Sequence, residues 1–228
     1  MKMTNSLEDL PIRVVCATKG SVEDFKSSQT GRSLIAFNKV SPIQVRLYDR
    51  NSIGLPELYN RAIEEVKNEP VILVFMHDDV LISDFYWAHH LREGLKKFDI
   101  VGVVGNTRRM PAQPSWIITN LSGALDDFKY LSGSIGQGVR MPPEKLDFFG
   151  PAGLECKLLD GVFLAAQSEV LHSSGLRFDP TFDFHFYDMD FCRSAEKLML
   201  RMGTIALPLI HASYGNLDQG WRRAYDLY

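Results

Sequence analysis

The stretch VILVFMHDDV, residues 71–80, joins an uninterrupted apolar run to three polar side chains. An apolar run without alternation is typical of a strand that is covered on both faces, so residues 71–76 are predicted to form a central strand. His77, Asp78 and Asp79 would then lie at the carboxyl end of that strand, which is where open parallel sheets bind their ligands. Adjacent carboxylates repel each other, and a bound divalent cation would offset that repulsion. The stretch therefore favours an α/β fold with a metal or ligand site at this edge.

Two interpretations of the HDD tripeptide stay open at this point. Asp79 or Ser83 could cap the following helix, with His77 as a hydrogen-bonded histidine at an interface. Alternatively, His211 follows the predicted strand 204–210 and would reach the same edge of the sheet. Four side chains that can bind a metal would then lie close together.

Strand-like and helix-like patterns alternate on both sides of this stretch. Further strands are predicted at residues 12–17, 43–48, 100–104, 158–166 and 204–210. Helices are predicted after Ser21, from Leu55 to Val66 with Pro56 in the first turn, after Ser83, and along an apolar stripe from Phe191 to Met202 that Gly203 ends. Such alternation implies βαβ units with right-handed crossovers. We therefore predict a single Rossmann-like α/β domain, residues 1–228, with a mostly parallel sheet and helices on both faces.

The pattern breaks down between residues 106 and 155, where five prolines and six glycines interrupt it. Only short strand-like pieces such as residues 116–119 remain. Long irregular segments in compact domains are usually functional loops. We expect this segment to leave the sheet and to form a functional loop or a lid over the site.

The amino-acid composition narrows the cellular compartment and the kinds of partner that we expect for this protein. The net charge is −3, and the basic residues are scattered rather than clustered, so binding to nucleic acid is not expected. The three cysteines are far apart and form no CxxC pair, which is typical of a reducing compartment. There is neither an apolar stretch at the start of signal-peptide length nor an apolar run long enough to span a bilayer. We expect a cytoplasmic protein, free or peripheral at a membrane.

A second acidic pair lies in FYDMDFC, residues 186–192. Asp188 continues the apolar stripe through Phe191 and Ala195, so its side chain is predicted to point inward. Asp190 falls on the same side of the helix as Arg193 and is predicted to face solvent. An inward carboxylate at the start of a helix is either a helix cap or a general base, and the spacing alone allows both.

Taken in order, these segments resemble family 2 glycosyltransferases of the GT-A fold. The segments that carry the resemblance are DRN (49–51), LPELYNRAI (55–63), VILVFMHDDV (71–80), LLDGVFLAA (158–166), FHFYDMDFC (184–192) and the late strand that ends in His211. The match covers nearly the whole chain. It is most similar to a bacterial branch in which the DxD motif is written HxD, here His77-Asp78-Asp79.

The resemblance implies roles for individual residues. Asp79 would bind Mn or Mg together with the diphosphate of a nucleotide sugar, and His211 would be the distal metal ligand. Asp188 aligns with the catalytic base of the ED motif, in which Tyr187 stands here in place of Glu. The residues expected to contact the donor or the sugar are Thr18, Asp49, Asn51, His77, Asp78 and Asp160.

The implied function is a metal-dependent, inverting glycosyltransferase that moves a sugar from a nucleoside diphosphate donor, expected to be a UDP-sugar, to an acceptor hydroxyl. The acceptor would be a saccharide or a lipid-linked molecule in bacterial surface polysaccharide synthesis, and the segment 106–155 would form a lid on the acceptor side. A nucleotidyltransferase is one alternative, although its glycine-rich basic loop is represented only by ATKGS, residues 17–21. A non-catalytic sugar- or nucleotide-binding module is the other, and such a module would not need Asp188.

Overall fold

The computed structural model describes residues 6–40, 42–213, 215 and 218–228. The strands are β1 (Ile12–Ala17), β2 (Ile43–Tyr48), β3 (Ile72–Met76), β4 (Val80–Ile82), β5 (Ile100–Gly102), β6 (Val104–Asn106), β7 (Leu131–Gln137), β8 (Lys145–Gly150), β9 (Glu155–Cys156), β10 (Leu158–Leu159), β11 (Phe163–Gln167), β12 (Met202–Thr204) and β13 (Leu209–His211). The helices are α1 (Val22–Ser27), α2 (Gln29–Asn38), α3 (Leu55–Glu65), α4 (Trp87–Leu95), α5 (Ser168–Ser174), α6 (Tyr187–Lys197) and α7 (Gln219–Leu227). Among these helices, none is long and apolar enough to cross a bilayer.

The strands form two sheets. The larger sheet has the order β2-β1-β3-β11-β5-β12-β9, and the smaller has the order β10-β6-β7-β13-β4, with β8 paired to β7. The α/β class is confirmed, but the larger sheet is mixed rather than mostly parallel. Strand β11 runs antiparallel to both β3 and β5. It enters from the smaller sheet with Phe163 opposite Met76, at the carboxyl end of β3, so it can only run back along that strand.

The chain passes between the two sheets at points where one continuous strand was predicted. The predicted strand 100–104 is divided into β5 and β6, and 158–166 is divided into β10 and β11. The predicted last strand, 204–210, is replaced by the short strands β12 and β13. An apolar run does not reveal such a change because the residues are buried in both sheets. The crossing from β3 to β4 is made by His77, Asp78 and Asp79.

The segment 106–155 is not irregular throughout, which corrects the sequence prediction. Strands β7 and β8 lie within it and pair antiparallel in the smaller sheet. The glycines of β7 allow backbones to approach closely, since a Cβ at Gly133 would lie 1.9 Å from the Val103 carbonyl oxygen. Residues 107–130 do lack regular strands, apart from an isolated bridge between Ile118 and Leu125.

The helices begin largely where their start signals lie. Ser21 and Asp24 form a capping box at α1, and Pro56 occupies the first turn of α3, both as predicted. The apolar helix α6 ends at Lys197, before the predicted stop at Gly203. Gly203 lies instead in β12, where a Cβ would come within 2.4 Å of the Phe98 ring.

Aromatic side chains pack the helices onto β3, which is buried at every position. Phe178 stacks on Phe191 of α6 at 4.0 Å between ring centroids, and Tyr59 of α3 lies 4.8 Å from Phe75 of β3. This cluster fixes α3 and α6 around β3 and so places the start of α6 beside the end of that strand.

Candidate active site

Two adjoining cavities open where the chain crosses between the sheets. The first cavity, of about 1030 Å³, is lined by loops after β1, β2 and β3. The second cavity, of about 680 Å³, is lined by the start of α6, the crossing before β11 and part of the segment 107–130. The residues that line both cavities are His77, Phe184, His185 and Ser213. The ring of Phe184 stacks on that of His77 at 5.6 Å. A ligand in the first cavity would therefore meet a ligand in the second beside His77.

Three possible metal ligands meet at this junction. His77, Asp79 and His211 each offer a ligand atom, and these atoms all lie within 4.8 Å of one another. His211 Nε2 lies 3.2 Å from Asp79 Oδ1 and 3.2 Å from Ser213 Oγ. Burial raises the pKa of Asp79, but the hydrogen bond and charge of His211 outweigh burial and bring it down to about 2. The carboxylate is thus ionised and ready to bind a cation.

Tyr187 controls the orientation of His77. The Tyr187 hydroxyl donates to the Gly161 carbonyl oxygen at 2.9 Å, and it lies 3.0 Å from His77 Nε2. Since its single proton goes to the carbonyl, the hydroxyl accepts from Nε2–H of His77. Burial, followed by the charge of His211, lowers the pKa of His77 and favours the neutral ring. The free lone pair of that neutral ring is then on Nδ1, the arrangement in which a second-layer hydrogen bond prepares a histidine to bind metal.

The donor set fits a divalent transition metal ion. It consists of two imidazole nitrogens and one carboxylate oxygen; imidazole suits ions such as Zn²⁺ and Fe²⁺, and carboxylate suits Mn²⁺. Mg²⁺ prefers oxygen ligands and retains its water more strongly.

Asp188 and Asp160 face the second cavity from neighbouring segments. The Oδ2 atom of Asp188 accepts from the Gly161 backbone N–H, and its Oδ1 atom accepts from Met189 N–H, both at 2.9 Å. Burial raises the pKa of Asp188 to about 7, with the nearby Asp160 charge as the next cause. Asp160 is held by the Trp116 indole N–H and by the Val162 N–H. A carboxylate with a pKa near neutrality is suited to take up a proton during turnover.

The structure decides the surroundings of both acids of α6, and for Asp190 they differ from the sequence prediction. The N-cap position of α6 is Phe186, which has a φ of 65° and makes no side-chain cap. Asp188 therefore bonds across to the β10–β11 crossing rather than acting as the N-cap residue. Asp190 does not face solvent: it is only 5% exposed and pairs with Arg193, one turn along the helix. Helical spacing placed it on a polar face, but Arg193 itself lies under the C-terminal Tyr228.

The residues expected to hold the nucleotide are only partly brought together. Thr18, Asn51 and Asp78 line the first cavity with Asp79. The Asn51 side chain is occupied locally by both backbone groups of Ile53. Asp49 is exposed at the end of β2 and is not among the described residues that line either cavity, so its role stays a prediction.

Sequence reasoning missed several residues of the second cavity. Trp116 and Trp221 supply aromatic walls, from the irregular segment and from α7 respectively. Gly161 has to be glycine because a Cβ there would lie 2.3 Å from the Tyr187 hydroxyl oxygen. The DG pair was the available signal for this close approach, yet it also suits an ordinary turn.

Comparisons with solved structures identify the fold. The crystal structure of GalNAc-T7 with UDP, GalNAc and Mn²⁺ superposes with a TM-score of 0.51 at 9% identity, covering 96% of this chain and 48% of that chain. S. aureus TarS in complex with UDP-GlcNAc gives a TM-score of 0.50 at 11% identity, covering 91% of this chain and 60% of that chain. A protein from STIV gives 0.50 at 11% identity, covering 90% and 87% of the two chains. These identities are low, so the likeness shows the GT-A fold alone.

Comparison with sequence families identifies the class of enzyme. No curated protein matches the chain. The family model described as "Glycosyltransferase like family" matches residues 45–220, a span that contains HDD, the β10–β11 crossing, α6 and His211. With its GT-A fold, the chain therefore belongs to this glycosyltransferase-like family of enzymes.

Proposed function

We propose that this protein is a metal-dependent, inverting glycosyltransferase that uses a nucleoside diphosphate sugar, expected to be a UDP-sugar. The observation that carries the proposal is the His77, Asp79 and His211 cluster at the junction of two cavities, with Asp188 facing the second. We expect the acceptor to be a saccharide or a lipid-linked molecule used in bacterial surface polysaccharide synthesis.

The first cavity suits the nucleotide. It is lined by the turn after β1, by Asn51 and by the acidic end of β3. Among the described lining residues, Lys19 is the single Lys or Arg, so the side chains alone offer the diphosphate little positive charge. A divalent ion on the cluster would neutralise the charge that develops on the departing diphosphate. The two histidines depart from the oxygen shell that Mg²⁺ prefers, so we expect Mn rather than Mg at this position.

The second cavity suits the acceptor. Trp116, Phe149 and Trp221 present apolar rings beside the carboxylates of Asp160 and Asp188. Aromatic faces with a few polar groups are typical of sites that bind small ligands such as sugar rings. We assign Asp160 to a contact with the sugar or the acceptor.

Asp188 would act as the general base. In a single displacement, the acceptor oxygen forms the new bond to the anomeric carbon while the bond from that carbon to the diphosphate breaks. The hydroxyl proton moves to the Asp188 carboxylate. One displacement inverts the anomeric centre, whereas a double displacement would need a second, nucleophilic group.

Calorimetry with UDP tests the metal assignment. Wild-type protein should bind UDP far more tightly with Mn²⁺ than without it, and Asp79→Ala should lose that difference. The matched control is Asp183→Ala, because Asp183 lines the same cavity outside the cluster. Equal UDP affinity of Asp79→Ala and wild type in the presence of Mn²⁺ would show the assignment to be wrong.

Product analysis separates this function from its alternatives. With a panel of UDP-sugars, transfer or donor hydrolysis that requires Mn²⁺ and is lost in Asp188→Asn identifies an enzyme with this base. Donor binding without turnover would indicate a binding module. Release of pyrophosphate from a nucleoside triphosphate and a sugar phosphate would indicate a nucleotidyltransferase. The anomeric proton signal of the product reports inversion or retention directly.

A further inference from the structure

A group of large apolar side chains is exposed on the side of the molecule formed by α2, β4 and the β7–β8 turn. The exposed fractions are 80% for Phe85, 74% for Val40, 65% for Met141 and 59% for Val139. These four residues, with Arg32 and Arg140, line one shallow hollow of about 410 Å³ and are called here the basic apolar face. Single exposed apolar residues are ordinary, but several in one patch mark an interaction surface.

The charge of the basic apolar face has one sign. Arg32 and Arg140 lie on it, and no Asp or Glu is among the described residues that line it. Neither arginine forms an ion pair with a described residue. Asp84, next to Phe85 in the sequence, is engaged with His90 at 2.6 Å. The whole chain carries a net charge of −3, so the positive sign is local.

This combination argues against a second copy of the chain as the occupant. In a two-fold symmetric dimer the same patch meets itself, which would bring the arginines of one copy toward the arginines of the other. Like charges at the rim of an apolar contact oppose association. A bilayer surface with anionic headgroups meets both requirements, because exposed apolar side chains insert at the headgroup boundary and arginines remain among the headgroups.

We propose that the basic apolar face docks this protein onto membranes that contain anionic lipids. Helix α2 connects the basic apolar face to the candidate active site. At the start of α2, Gln29 Nε2 donates to the Asp79 carbonyl oxygen at 3.0 Å, and Thr30 Oγ1 donates to the Asp78 carbonyl oxygen at 2.7 Å. Arg32, further along the same helix, lies on the basic apolar face. Docking would therefore hold the metal-binding end of β3 at a set position relative to the bilayer, which suits an acceptor carried on a lipid.

Vesicle sedimentation with the full chain tests the proposal without donor, acceptor or metal. Wild type should sediment with vesicles of phosphatidylcholine and phosphatidylglycerol and stay in solution with phosphatidylcholine alone. Phe85→Ser and Arg140→Gln should each reduce the bound fraction, Phe85→Ser by roughly tenfold in partition coefficient. The matched controls are Phe128→Ser and Arg223→Gln, two exposed positions outside the face, which should bind as wild type does.

Three outcomes would overturn the proposal. The first is absence of binding of wild type to the anionic vesicles, and the second is an equal loss of binding in the control variants. The third is a dimer in analytical ultracentrifugation that Phe85→Ser dissociates, which would assign the face to a second copy. Melting curves check that each variant is folded, and Arg140→Gln keeps the test valid if Phe85→Ser is unstable. Sugar transfer with a soluble acceptor is a separate measurement, so failure of docking and failure of the proposed function remain distinguishable.

Discussion

Asp188 and Asp190 both lie on the first turn of α6, but their surroundings differ, and we expect them to have different roles. Asp188 faces the second cavity, whereas Asp190 is buried against Arg193. Asp188→Asn keeps the size of the side chain but cannot accept the acceptor proton. We expect turnover to fall by roughly 10²-fold or more, with donor affinity and melting temperature close to those of wild type.

Asp190→Asn is the matched variant and should behave in the opposite way. It removes the charge that pairs with Arg193 in a buried position, so the melting temperature should fall while turnover at saturating donor stays near wild type. Transfer rates are measured beside melting curves for both variants. Full activity in Asp188→Asn would contradict its role as the base.

The pH dependence of turnover should follow the ionisation of Asp188. Burial and the Asp160 charge raise the pKa of Asp188 to about 7, so below that pH the carboxyl is protonated and cannot act as a base. Turnover should therefore rise with pH and level off above neutrality. Asp160→Asn removes the neighbouring negative charge, which lowers the pKa of Asp188 and should move the rising limb to lower pH. A limb in the same place in both proteins would show that another group controls it.

Tyr187 contacts the proposed metal site through His77. Tyr187→Phe removes the hydroxyl that accepts from His77 Nε2–H, so the ring loses the contact that fixes its orientation. We expect Mn²⁺ affinity to fall by about 10- to 100-fold, as for other outer-layer partners of metal ligands. Calorimetric titration with Mn²⁺ measures the change. Tyr225→Phe, which loses a hydroxyl contact with the Ala112 carbonyl oxygen, should bind the ion as wild type does.

At the scale of elements, the segment 106–155 divides into a part that is paired in the smaller sheet and a part that lacks regular strands. Strands β7 and β8 are paired in the smaller sheet, while residues 107–130 have few regular backbone hydrogen bonds and contribute Trp116 to the second cavity. We expect proteases to cut within 107–130 and to spare the β7–β8 pair. Donor and acceptor together should protect 107–130. Equal cleavage of both parts, unchanged by ligand, would count against a lid.

Some elements could be predicted in type and place from sequence because their signals are local. The helix α3 has its proline at the start and a periodic apolar face, and β3 is an unbroken apolar run. Strand β7 was missed because its glycines resemble those of a loop, although Gly133 serves a close backbone approach to Val103. Such an approach depends on a strand far away in the sequence, so the residues next to the glycine do not indicate it.

At the scale of the whole molecule, the cluster proposed to bind the metal joins distant parts of the chain. His77 and Asp79 come from the end of β3, and His211 comes from the end of β13 in the other sheet. An ion held by all three binds only the folded protein, so the melting temperature should rise with Mn²⁺ concentration. His211→Ala should lose most of that rise. His89→Ala, at an exposed position on α4, should keep it, and an equal rise in all three proteins would show that the ion binds elsewhere.

The sequence by itself determined the α/β class and the central strand, and it indicated that Asp79 and His211 could meet at the ends of two strands, as they do. These follow from periodicity and from polar residues placed directly after apolar runs. Only the tertiary structure decided that the chain changes sheets at His77–Asp79 and Asp160–Val162, that His77 rather than Asp78 joins Asp79 and His211, and that Asp190 is buried. The physical reason is that buried positions of both sheets take the same apolar residues, so the sequence does not show which sheet a strand joins. The partners of a polar side chain, such as Tyr187 for His77, are set by contacts between segments far apart in the chain.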